Sequence, residues 1–182
     1  MQRIAFRLLP LICLALAACG SGGANNGARI GDAGQAAPVE CAPFARALTG
    51  VSLSGDAADW WWRAEGRYAR SRTPQVGSIL VYRRSSRLPY GHVAVVSAVL
   101  SRRQIMVTQA NWVHHRVTED QLVLDVSPDG DWSTVRVWWP PTSQMGTTDY
   151  DIFGFIRPEH PSGHDRILAA VPGAIRVAEA GW

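Results

Sequence analysis

The chain has 182 residues and a formal net charge of +3; it is 47% hydrophobic and 18% charged, with 8 Trp and only 3 Cys. This content excludes a disordered chain, and three cysteines in such a length exclude a disulfide scaffold. Every cation is Arg, and two of the 18 fall in residues 1–18. Much of the basic excess therefore belongs to a leader, and no nucleic-acid partner is expected.

In residues 1–18, Arg3 and Arg7 precede an apolar run from Leu8 to Ala18. A bilayer span needs about 20 apolar residues, so this shorter run reads as an export signal. It ends in Leu16-Ala17-Ala18-Cys19, which resembles a bacterial lipobox with Cys19 as the lipidated residue. Ala15 and Ala17 also have the Ala-x-Ala spacing of a soluble export signal, which is the competing reading. A lipid-anchored chain is expected in the cell envelope. Gly20 offers no obvious inner-membrane retention signal, which favours the outer membrane facing the periplasm. Residues 19–37 are rich in Gly, Ala and Asn and read as a flexible tether.

The folded domain is expected over residues 38–158, followed by a tail at 159–182 that could be a docked helix or loose. Cys41, Phe44, Ala45 and Leu48 share one helical face, with Gly50 as a stop. A second helix is predicted over 56–70, interrupted at Gly66. Strands are predicted at 78–82, 91–100, 104–112, 122–126, 134–139 and 152–156, bounded by Pro, Gly and Asp. Two helices followed by a run of strands predict an α+β fold, with the N-terminal helices packed on an antiparallel β-sheet.

Cys13 lies in the leader and Cys19 at its end, which leaves Cys41 as the one cysteine of the folded part. At the start of a helix, unpaired N–H groups and the helix dipole favour a thiolate, the nucleophilic form. An inert buried thiol is the alternative. His92 opens a predicted strand. If strands 91–100 and 103–112 form a hairpin around Ser101-Arg102, paired residue numbers sum to 203 and His92 faces Asn111. Asn111 would then hold one imidazole nitrogen and leave the other for Cys41, the logic of a cysteine triad. A register slip of one residue would undo this pairing. Trp112, beside Asn111, and Glu40, before the nucleophile, are candidate substrate contacts. Trp60-Trp61-Trp62 cannot all face a core, and His114 and His115 are expected at the surface. His160 and His164 have an H-x₃-H spacing, but the intervening Pro161 and Gly163 argue against a helical metal site.

Four blocks, Cys41-Ala-Pro-Phe-Ala-Arg, Gly77-Ser-Ile-Leu-Val, Gly91-His92-Val-Ala-Val-Val and Ala110-Asn111-Trp112, resemble in order and spacing a CHAP domain. CHAP domains are cysteine- and histidine-dependent amidohydrolases/peptidases of the NlpC/P60 superfamily. The resemblance implies a papain-like α+β fold over about residues 38–158, Cys41 as nucleophile, His92 as base and Asn111 as the orienting polar group. It also implies cleavage of amide bonds without a cofactor, in peptidoglycan peptides for an exported enzyme. Glu40 departs from the Gln that often precedes the nucleophile; an ionised carboxylate cannot donate to an oxyanion and disfavours a neighbouring thiolate. The rival functional readings are a non-catalytic wall- or partner-binding lipoprotein of this fold and an amidase of a non-wall substrate.

Overall fold

A computed structural model describes residues 40–160 and the short strand Ile175–Arg176. The leader, Cys19, the tether, Pro38 and His164 lie outside the described residues. Helix α1 spans Cys41–Thr49 and ends on Gly50, whose φ of 72° is the left-handed stop expected there. The second predicted helix does not run to residue 70. A 3₁₀ turn at Ala57–Asp59 leads into the four-residue α2, Trp60–Arg63, and Gly66 at φ 71° then turns the chain into strand β1, Ala69–Ser71.

The remaining chain is almost all strand: β2 (Ile79–Tyr82), β3 (His92–Ser101), β4 (Gln104–Ala110), β5 (Val117–Asp125), β6 (Thr134–Trp139), β7 (Gln144–Met145), β8 (Tyr150–Arg157) and β9 (Ile175–Arg176). Strands β2 to β6 pair in sequence order except at one seam. There β8 pairs with β2 through Ile79↔Ile156 and Leu80↔Phe155, and with β6 through Thr134↔Asp151 and Val135↔Tyr150. That double pairing closes β2-β3-β4-β5-β6-β8 into a six-stranded antiparallel barrel. The short β1 extends from β8, β7 from β6, and β9 lies parallel to β5.

The expected papain-like α+β architecture, N-terminal helices layered on an antiparallel sheet, is therefore corrected: the protein is mostly β, with two short helices. The physical reason lies in the closure. A sheet closed on itself buries its inner face against its own strands and removes its edges, so a helical layer is not needed to cover that face. Leu80, Tyr82, Ala94, Val96, Ile105, Val107, Ile152 and Phe155 fill the barrel, and Trp132 packs with them. The alternate residues Ile79, Val81, Val93 and Val95 point outward, where Phe44, Ala45 and Leu48 of α1 and the fully buried Trp60 cover them. Both faces of β2 are thus buried, as its uninterrupted apolar run requires. Gly154 lets β8 lie close to β1: its φ is 137°, and a Cβ there would lie 2.5 Å from the Ser71 carbonyl oxygen.

Candidate active site

The packing of α1 on β3 brings Cys41 to the start of that strand. Glu40 is extended (φ −88°, ψ 149°), and its carbonyl accepts the Phe44 N–H at 3.1 Å, so the helix starts at Cys41. Pro43 sits in the first turn, where a missing N–H is harmless. Phe44, Ala45 and Leu48 anchor the helix to the outer barrel face and leave Cys41 half-buried at the open end.

The helix start does not make this thiol acidic. Burial pushes its pKa above the ordinary value, the Val93 N–H opposes that shift, and the Glu40 carboxylate adds to it. The thiolate expected from helix position alone is therefore outweighed in the resting protein, because loss of solvent exceeds the help of a few N–H groups.

His92 is the first residue of β3 and is 4% exposed. Its ring stands edge-on to Tyr82 and Trp112, with centroids 5.5 and 5.1 Å away. Burial pushes its pKa down to about 4, against the opposing effect of its hydrogen bond to Gln109. That bond joins His92 Nε2 and Gln109 Oε1 at 2.9 Å.

The network behind it assigns the tautomer. Gln121 Nε2 donates to the Trp138 carbonyl at 2.5 Å, which turns Gln121 Oε1 inward. This oxygen accepts from the Thr118 hydroxyl at 2.6 Å and from Gln109 Nε2 at 2.7 Å. Gln109 must then present its oxygen to the imidazole, and an oxygen there pairs only with an N–H. His92 Nε2 carries the proton and Nδ1 keeps the lone pair. Gln109, Gln121 and Thr118 are all fully buried, so this neutral relay is shielded from water.

Asn111 does not take the place expected for it. The pairing sum of 203 holds at Val95↔Thr108 and Val96↔Val107, the end of the hairpin toward the site. Two shifts then move the turn to Arg102-Arg103. Strand β4 nevertheless ends at Ala110, and Asn111 adopts φ 61°. Its Nδ2 donates to Glu40 Oε2 and its Oδ1 accepts the His115 N–H, both at 2.9 Å. The imidazole partner is instead Gln109, the diagonal neighbour on the same strand face. Period-two alternation from Asn111 marks Gln109, so the signal was present, but a lone Gln in an apolar strand carries no chemical signature by itself.

Glu40 lines the site and is held by Asn111, while Trp112 stands between His92 and Tyr150. The tryptophan triplet lies elsewhere: Trp60 is core, Trp61 stacks on Phe153 at 6.0 Å, and Trp62 is 60% exposed. His114 and His115 are exposed, as expected. Among the described residues, no group of three His, Cys, Asp or Glu is placed to hold a metal ion.

Glu40, Cys41, Arg87, Tyr90, His92 and Asn111 line one open cavity of about 350 Å³. A half-buried thiol, a neutral imidazole of fixed tautomer and the unpaired N–H groups of a helix start are the parts of a covalent acyl-transfer site. No curated protein matches the chain. The sequence model of the CHAP domain matches residues 31–111, a stretch that holds Cys41, His92, Gln109 and Asn111. CHAP domains are amidase- and peptidase-type hydrolases associated with peptidoglycan, and the match over this stretch, less than half of the chain, supports its reading as a CHAP domain.

Proposed function

We propose that the protein is an exported cysteine hydrolase that cleaves amide bonds in peptidoglycan peptides, held at the envelope by a lipid on Cys19. The observation that carries this reading is the shared cavity of Cys41 and His92, with the imidazole pinned by Gln109. The leader and tether read from residues 1–37 support placement at the wall.

Both groups start neutral, so the thiol proton moves to His92 Nδ1 as the sulfur attacks the amide carbonyl. The N–H of Cys41, at the start of α1, is the candidate donor to the oxyanion, since the Glu40 carboxylate can only accept. The imidazolium then gives its proton to the leaving nitrogen, the C–N bond breaks and a Cys41 thioester remains. Water, deprotonated by His92, attacks the thioester, releases a carboxylic acid and restores the thiol. Gln109 is a positioning residue that holds the ring through this cycle. Asn111 acts at the rim, where it ties Glu40 back.

The test is digestion of purified peptidoglycan by the full chain, followed by mass spectrometry. New fragments with freed amino groups are expected, and none from Cys41→Ala. Identical fragments from both proteins, or none from folded wild type, would reject the assignment. The pH profile follows from the His92 shift. The base works only when neutral, and its pKa is pushed down to about 4. The acid limb of kcat/KM should therefore lie near pH 4, and a limb near the ordinary histidine value of about 6.5 would contradict the buried-base account.

A further inference from the structure

A second cavity, of about 340 Å³, adjoins the site. Most of its walls come from β6, the 3₁₀ turn Pro140–Thr142, β7 and the start of β8, outside the matched segment 31–111. Trp112, Trp139 and Tyr150 give it three aromatic side chains, and Gln144 and Thr148 add an amide and a hydroxyl. Trp139 is 36% exposed. The turn that frames it is built closely: a Cβ on Gly146 would lie 2.7 Å from the Val137 carbonyl oxygen.

Two features join this cavity to the candidate active site. Arg87 lines both. Among the described residues it makes no hydrogen bond or ion pair, whereas Arg84, three residues earlier, is paired with Asp56 and Asp59. Trp112 forms the partition: its ring centroid is 5.1 Å from that of His92 and 5.1 Å from that of Tyr150.

Flat aromatic faces beside hydroxyl and amide groups suit a ring that is apolar on its faces and polar at its edge. A guanidinium shared by the two cavities, with no partner among the described residues, suits a carboxylate. We propose that the second cavity is a sugar subsite that takes the amino sugar carrying the stem peptide, while Arg87 grips a carboxylate of that peptide. The proposal rests on the amide hydrolysis inferred above and names its substrate as glycan-linked peptide. It also bounds the bond that is cut. The Tyr150 ring is within about 10 Å of the imidazole. An extended peptide advances about 3.3–3.6 Å per residue, so cleavage falls within about three residues of the sugar.

The test compares kcat/KM of the full chain on a muramyl-linked stem peptide and on the same peptide without sugar. The wild type should prefer the sugar-linked form by about tenfold, and Trp139→Ala and Gln144→Ala should each reduce that ratio severalfold. A wild-type ratio near one, or a ratio unchanged in both variants, would overturn the subsite. Should neither substrate be cleaved, the hydrolase reading fails, and calorimetry still decides the subsite. Cys41→Ala should bind the muramyl peptide more tightly than Cys41→Ala/Trp139→Ala, and equal binding would overturn it. Thermal unfolding of each variant confirms that it is folded.

Discussion

Replacing Gln109 with Leu should lower kcat/KM by about a thousandfold while the protein stays folded. The side chain is fully buried and holds the imidazole Nε2–H at 2.9 Å. Leu fills similar space but accepts no hydrogen bond, so the ring loses the contact that fixes its proton on Nε2. Positioned general-base catalysis is worth about 10²–10⁴ in rate, and most of that depends on the correct nitrogen facing the thiol. The variant also strands a buried N–H, at a stability cost of about 1–3 kcal/mol. Gln109→Glu separates positioning from mere filling. A carboxylate beside His92 favours the imidazolium, so the acid limb should move up from its position near pH 4. A merely structural glutamine would not move a pH limb. Activity of Gln109→Leu within about threefold of wild type would refute the relay.

The second large effect is expected at Gly91, immediately before His92. Its φ is +72°, and a Cβ there would lie 2.6 Å from Ala58 Cβ, 2.7 Å from Ala58 N and 2.8 Å from the Tyr82 carbonyl oxygen. Two of these three atoms are backbone, and Ala58 N is itself held by the Tyr90 carbonyl at 3.1 Å. Nothing flexible can move aside. Left-handed strain and overpacking together predict that Gly91→Ala loses about 3–5 kcal/mol of stability in urea unfolding. Gly50→Ala is the matched control, because its φ is the same +72° but nothing lies within 4 Å of its Cβ. It should lose only about 1 kcal/mol. Similar losses in the two variants would show that close approach at Gly91 is not the cause.

Much of the site could be read from the sequence because it depends on local rules. The spacing of Phe44, Ala45 and Leu48 with Gly50 placed Cys41 on the first turn of α1. The pairing sum of 203 was met at Val95↔Thr108 and Val96↔Val107. What could not be read depends on contacts distant in the chain. Barrel closure needs β8 to pair with β2 and β6 together, and no local pattern in residues 150–157 announces two partners. The α+β expectation failed for that reason, and also because the second helix already stops at Arg63. Asn111 was assigned to His92 by extending a ladder whose last pair is Val95↔Thr108, on a strand that ends at Ala110. A left-handed residue then turns the amide toward Glu40. The thiol was expected to be acidic from its helix position alone, but loss of solvent on burial outweighs the N–H groups around it and reverses the direction.

For the proposed hydrolysis the acyl-enzyme is the decisive species, since a neutral thiol beside a neutral imidazole offers no ion pair to detect beforehand. The most direct measurement mixes the full chain with a sugar-linked stem peptide, quenches in acid after milliseconds to seconds, and maps adduct mass by peptide digestion. The account predicts an acyl group on the peptide containing Cys41, removed by hydroxylamine, and slow to form in Gln109→Leu. Substrate turnover without any adduct, undiminished in Cys41→Ala, would contradict it.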